Sequence, residues 1–440
     1  MIEKRHCDLL IADASVLLPD MSISDNLSLV IDKDKISAVL PAEVAAKKYT
    51  PAQKINGAGK VWLPGLVDMH MHTGQQLLKS KILDELPMIW TRIMLPFEST
   101  LTPERMQLSA ELAALEMIEA GTTGFVDAGS YYMEEAGQVY LQSGLRGALS
   151  HSTMDQGNLP SSIKETAEEA IMATDRLYNA FHKQGNLSVF YSLRALMNCS
   201  EKLITGAAQR AREKNTFIQA HMNEYAGEVT YTLQNFQLRP FEYLEKLGVL
   251  SERFIAAHCL MLSAHEKKLL AKHKISVVHC PFSNCGKGVA DTPALLEENI
   301  PVSLGTDGAA HGGLSLWNEM KIFRSVMNAF WGTRLADPAI MPAKTILKMT
   351  SAGNEILTGN KIQGLQAGAA ADIIAIDWQK AHLFASQNRV NTLLECVNAG
   401  DVTDSIVAGK ILMQNSELLT LDKEKIMWKA KHFFAMQVRS

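Results

Sequence analysis

Eight short apolar stretches recur along the middle of this 440-residue chain, and all but one carry a histidine or an aspartate at the end or within two residues of it. They are "WLPGLVDMHMH", "TTGFVDAG", "LRGALSHS", "LSVFYSLR", "TFIQAH", "RFIAAH", "ISVVHC" and "PVSLGTD". Segments of helical periodicity lie between them, such as "PERMQLSAELAALEMIEAG" and "EKLITGAAQRAREKN". From His72 to Asp307 the interval averages roughly 34 residues per unit, the length of one strand plus one returning helix. Eight such units predict an α/β fold, a (β/α)8 TIM barrel over 59–364. A doubly wound open sheet is the alternative, but no glycine-rich nucleotide loop follows the first strand.

The two chain ends differ from this middle. "DLLIADASVLLP" and "LSLVIDKDKISAVLP" near the start, and "ADIIAID" and "SIVAGKILM" near the end, are β-like runs broken by Asp, Lys and Pro. Residues 1–58 and 365–440 are therefore expected to form a small β-sandwich domain together.

In a barrel the carboxyl ends of the strands gather at one mouth. His70 and His72 sit one residue apart, so strand alternation points both the same way. His221, His258, His279 and Asp307 end later strands. A single strand-end histidine is usually a hydrogen-bonded core residue, but several converging with an aspartate are not explained by packing. Imidazole and carboxylate donors suit Zn²⁺ or Fe²⁺. His265, His273 and His311 fall in helices or loops and are read as ordinary residues. Cys259 and Cys280 follow histidines, so alternation turns them away from the mouth.

Composition narrows the class further. A net charge of -4 gives no basic footprint for nucleic acid. Six cysteines without a CxxC pair suggest a reducing compartment. No apolar run reaches the roughly 18 residues of a membrane span, and "MIEKRHCDLL" lacks a signal-peptide core. A cytoplasmic protein without membrane or nucleic-acid partners is expected, and a homo-oligomer is compatible with that.

In order and interval, "LPGLVDMHMH", "QAHMNE", "AAHCLML", "VVHCPFSN" and "SLGTDGAA" resemble the metal-site segments of the amidohydrolase superfamily. The likeness is to its aminohydrolase branch of adenosine-, thioadenosine- and adenosylhomocysteine-type deaminases, guanine deaminase and triazine hydrolases. "ADIIAID" resembles the C-terminal strand of that family's accessory β domain. The resemblance implies one divalent ion per chain, Zn²⁺ first and Fe²⁺ second, held by His70, His72, His221 and Asp307. The fourth strand has no lysine of the kind that bridges two metals in binuclear relatives. It further implies hydrolytic deamination of an amino-substituted N-heterocycle of purine-like kind, by metal hydroxide with release of ammonia. Glu224 would shuttle the proton, His258 would position the water, and Asp307 would assist the second proton transfer.

The substrate positions point two ways. "HTGQQLLKS" and "LPFESTLTPE" are similar to the adenosine-type enzymes, whose glutamate, here Glu98, is expected to bind ribose hydroxyls. Arg194 and Gln75 instead resemble guanine deaminase residues, and arginine donates best to an oxo group or anionic edge. Arg194 is therefore expected to face substrate, with ion pairing to Glu98 as the alternative. His279 completes the expected substrate-binding set. Aminotriazine dechlorination and cyclic-amide hydrolysis are the competing chemistries.

Overall fold

The structure is a computed structural model and describes residues 4–85, 89–360 and 363–437. The chain opens with β1 (Arg5–Leu17), β2 (Ile23–Asp32), β3 (Lys35–Pro41), β4 (Tyr49–Asn56) and β5 (Lys60–Pro64). It then runs through β6 (Leu66–Met71), β7 (Thr122–Asp127), β8 (Arg146–Leu149), β9 (Leu187–Val189), β10 (Tyr191–Leu193), β11 (Ile218–Met222), β12 (Phe254–His258), β13 (Ser276–His279) and β14 (Val302–Leu304). It closes with β15 (Ile373–Asp377), β16 (Val402–Val407), β17 (Lys410–Gln414) and β18 (Glu417–Leu418).

The middle strands make two all-parallel sheets, β6-β7-β8-β9 and β10-β11-β12-β13-β14. They are buried on both faces, as crossover connections require. One junction lies at Phe190, whose N–H bonds Leu149 O on one side while the next residue, Tyr191, bonds Phe217 O on the other. The fourth apolar stretch thus passes from the first sheet to the second. At the far edge, Asp307 N–H donates to His70 O at 2.9 Å, joining the end of β14 to β6. The helices form where periodicity placed them. Pro103–Ala120 is N-capped by the Thr102 side chain and ends on Gly121 in the left-handed region, while Glu201–Glu213 is capped by Ser200.

Both chain ends enter one mixed sheet, ordered β18-β17-β16-β15-β5-β1-β2-β3 with β4 also on β1. Strand β1 is long enough to pair β4 along its first half and β5 at its end. Trp62, Ile11, Ile31, Ile373 and Ile406 share an apolar cluster there, separate from the main core.

Two expectations change. "WLPGLVDMHMH" is two strands, because β5 belongs to the mixed sheet and only β6 to the parallel one. Pro64 lacks an N–H, and Gly65 sits where a Cβ would lie 2.0 Å from Thr123 Oγ1, so the chain turns there between sheets. The tail is also not all β. Its last element is the helix Lys423–Gln437, which lies against Pro103–Ala120 with Ala430 buried among Leu77 and Leu108. Among the described residues, no helix is long and apolar enough to cross a membrane.

Candidate metal centre and active site

Two backbone features bring the first-strand histidines against the last strand. Gly305 lies so close to β6 that a Cβ would meet His70 N and O at 2.7 Å. Buried Asp68 then accepts from Thr306 N, Thr306 Oγ1 and His70 N, clamping the two segments together. Burial pushes the Asp68 carboxyl up to about 7.

Beyond this clamp the donors converge. His70 Nε2 and His72 Nε2 each lie 3.4 Å from Asp307 Oδ1, and His72 Nε2 lies 3.2 Å from His221 Nε2. A tetrahedral ion with ligands at roughly 2.0–2.1 Å has ligand-to-ligand edges of about 3.3 Å. The observed spacings match that edge. His258 is the fifth member: its donor atom and those of His70, His221 and Asp307 lie within 4.8 Å of one another. His258 Nδ1 pairs with Asn284 Oδ1 at 3.0 Å, so the hydrogen is on Nδ1 and the Nε2 lone pair faces the cluster. Among the described residues, that buried Nε2 has no hydrogen-bond partner, and neither has His70 Nε2. Orphaned acceptors of this kind fit the ligation of a cation.

The electrostatics agree. Burial, followed by the charges of His70 and His72, drives His221 well below its ordinary value. Burial and then the Arg194 charge bring His72 to about 4. Both rings are therefore neutral at neutral pH, the form that ligates metal. Burial alone would raise Asp307, but the facing His70 and His72 nitrogens and the positive charge beside it hold it well below the carboxylate range.

Glu224 lies in the bend after β11, with Oε2 3.7 Å from His258 Nε2 and Oε1 2.6 Å from Lys287 Nζ. Burial opposes its ionisation, yet His258 and Lys287 outweigh that and lower it. Arg194 Nη2 donates to Glu98 Oε1 at 2.9 Å, and Gln75 Nε2 donates to the same oxygen at 2.9 Å. Arg194 Nη1 reaches Gly129 O at 3.2 Å and His72 Nδ1 at 3.4 Å. The ion-pair alternative for Arg194 is thus formed, although Arg194 and Gln75 still line the pocket beside His72, His221, Glu224 and Asp307. Glu98 Oε2 and Gln75 Oε1 are buried without hydrogen-bond partners among the described residues.

His279 is set apart. Its Nδ1 bonds His258 O at 2.9 Å, and its ring lines a neighbouring cavity of about 430 Å³ with Phe323, Val326 and Met327. His311, read as an ordinary loop residue, is instead in the pocket with Nε2 3.7 Å from Asp307 Oδ2. Lys287, Ser283 and Tyr225 were also not singled out. A lysine between two glycines in "NCGKGVA" carries no pattern that separates it from a solvated one.

Parallel sheets carrying a buried imidazole and carboxylate cluster at their carboxyl ends define a hydrolase of the amidohydrolase type. The model of the Amidohydrolase family matches residues 61–412, and the chain belongs to that family of enzymes acting on C–N bonds other than peptide bonds. Among its relatives is a 5-methylthioadenosine/S-adenosylhomocysteine deaminase of Syntrophobacter fumaroxidans, 30% identical over 437 residues that cover 97% of this chain and 98% of the relative. The fold is shared with a zinc-bound adenosine deaminase from Xanthomonas campestris, with TM-score 0.92, 24% identity and full coverage of both chains. It is also shared with a guanine deaminase from C. acetobutylicum holding guanine, with TM-score 0.80, 18% identity and coverage of 93% of this chain and 99% of that one.

Proposed function

We propose that this protein is a mononuclear metal-dependent deaminase that replaces the amino group of a purine-like heterocycle with oxygen and releases ammonia. The observation that carries the reading is the set of donor spacings among His70, His72, His221 and Asp307, with Glu224 and His258 beside it. The same reading takes β6–β14 as a closed (β/α)8 barrel within 59–364 and the ends, 1–58 and 365–440, as a β-sandwich domain. The Phe190 junction and the Asp307–His70 hydrogen bond support closure. Residues 1–3, 86–88, 361–362 and 438–440 of those ranges lie outside the described residues.

His70, His72, His221 and Asp307 would hold the ion. When bound, a divalent ion lowers the pKa of a water ligand far below that of bulk water, to about 7. His258 Nε2 accepts a hydrogen bond from the attacking water and fixes its approach. Glu224 takes the water's proton and delivers it to the ring nitrogen adjoining the attacked carbon. Asp307 assists the second proton transfer, to the leaving amino group, which departs as ammonia. Steps of this general acid–base kind are each worth roughly 10²–10⁴-fold.

An adenosine- or methylthioadenosine-type substrate is favoured over an oxo-bearing base. The Arg194 charge is already engaged by Glu98, and the open Oε2 of Glu98 suits a hydroxyl donor such as a ribose. The relative named as a 5-methylthioadenosine/S-adenosylhomocysteine deaminase supports the same choice. Gln75 supports the pocket by holding Glu98. The deciding experiment loads the protein with zinc and measures ammonia release from 5-methylthioadenosine, adenosine, guanine and an aminochlorotriazine. Ammonia from the nucleosides at one zinc per chain is expected. Chloride release without ammonia would overturn deamination, and two tightly held ions would favour a cyclic-amide hydrolase.

A further inference from the structure

Among the described residues, Lys287 is the one buried ammonium beside the candidate centre, and no step of the proposed reaction uses it. Its side chain is 6% exposed, and its Nζ lies 2.6 Å from Glu224 Oε1, 2.8 Å from Ser283 Oγ and 3.9 Å from Asp307 Oδ2. Ser283 Oγ in turn donates a short hydrogen bond to Asp307 Oδ2. Tyr225 presents its ring face to the ammonium, 5.2 Å from Nζ. An ammonium buried this deeply is tolerated only when carboxylates compensate its lost hydration, and here two of them do.

The pattern of occupied oxygens is the informative part. On Asp307, Oδ2 takes Ser283 and faces Lys287, which leaves Oδ1 for His70 and His72. On Glu224, Oε1 takes Lys287, which leaves Oε2 turned toward His258. Each carboxylate has one oxygen tied to the same strut and the other presented to the reaction centre. Ser283 and Lys287 are four residues apart, in and just after the short helix Pro281–Asn284 that follows β13. Lys287 N–H bonds Asn284 O at 2.9 Å, and the Asn284 side chain accepts from His258 Nδ1. One turn after β13 therefore touches all three groups around the metal cluster: Glu224, His258 and Asp307.

We propose that Lys287 and Ser283 form a strut that orients Glu224 for proton transfer and Asp307 for metal ligation, with Lys287 acting as a positioning residue for the reaction. The inference rests on the deaminase reading above. It assigns no proton transfer to Lys287 itself: the ammonium keeps its three protons and works by fixing two carboxylate rotamers, since pre-set geometry is a large part of the rate.

The test uses full-length protein with zinc chloride as the metal probe and the nucleosides above as substrates. Lys287→Met should lower kcat by at least about 100-fold, the scale of a misplaced general base. KM should stay within about threefold, because the strut acts on reacting groups and not on binding. Lys287→Arg should recover part of the loss. Ser283→Ala, which frees Asp307 Oδ2, should weaken zinc binding by about 10–100-fold in chelator competition, as loss of a ligand's outer partner does. That arm needs no substrate and stands if Lys287→Met does not fold. A Lys287→Met enzyme with kcat within a few-fold of the parent, or zinc affinity unchanged in Ser283→Ala, would overturn the strut. Glu224→Gln is measured alongside. Full activity there defeats the deaminase reading itself, whereas an impaired Glu224→Gln with an active Lys287→Met defeats only the strut.

Discussion

The pairs Arg146–Asp372, with its carboxylate buried, and Arg194–Glu98, buried throughout, are finished differently. Arg146 Nε and Nη2 hold both oxygens of Asp372 at 2.6 and 3.1 Å, and Ala408 N–H adds a bond at 2.7 Å. The pair ties β8 to the loop before β15, and every oxygen has a partner. Arg194 holds only one oxygen of Glu98, Gln75 crowds onto that same oxygen, and Oε2 is left open. Its other nitrogen leans on His72, a proposed metal ligand. An unpaired buried polar atom costs roughly 1–3 kcal/mol, and Asp372, which serves the fold, closes its hydrogen-bond inventory within the protein. A site leaves valences open for what it binds. The unpartnered Nε2 atoms of His70 and His258 say the same.

The comparison can be broken most severely at the metal. His221→Ala removes one of four donors, so zinc affinity should fall by more than about 100-fold, beyond the cost of losing an outer partner. Circular dichroism should show the fold kept. Tight zinc in this variant would mean that His258 is a true fourth ligand and that the ligand set proposed here is wrong.

The paired arginines come next. Arg146→Met strands a buried carboxylate and should cost about 3–5 kcal/mol in denaturant unfolding, towards the lower figure because Arg146 retains some exposure. Turnover per folded molecule should hardly change. Arg194→Met should instead depress turnover on adenosine-like and guanine-like substrates alike, since it releases Glu98 and Gln75 together. A loss confined to guanine would show that Arg194 donates to an oxo group after all.

The smallest effect sharpens the contrast through pH. Glu228 lines the pocket, and burial followed by the Glu224 charge raises its carboxyl to about 8. Between about 4.5 and 8 the folded protein keeps this proton while the unfolded chain releases it, so this group's contribution to stability is present at low pH and lost as pH rises through that window. Glu228→Gln should remove the dependence and raise Tm near pH 8 by about 1 °C per kcal/mol regained, the scale set by the unfolding entropy of a 440-residue chain. An unchanged slope of Tm against pH would refute the buried acid.

Much of the fold was legible because strand ends carry their own marks. The run from "MHMH" to "GTDG" announces which residues sit at carboxyl ends, since short apolar strands leave polar residues nowhere else to go. The break at Gly65 was not legible, because a close approach to Thr123 depends on a neighbour 58 positions away. His311 escaped for a similar reason. Its approach to Asp307 depends on the left-handed backbone at Asp307 and the two glycines that follow His311.

What the sequence determined by itself is the repeating unit, the donor types and their order along the chain, for these follow from local periodicity and from the chemistry of imidazole and carboxylate. Only the tertiary structure decided which carboxylate oxygen meets which partner. Arg194 faces Glu98, His279 turns to its own cavity, and Lys287 reaches between Glu224 and Asp307. The physical reason is range. Hydrogen bonds are settled within about 3 Å, and groups that distant in sequence come so near only when the strands carrying them have packed.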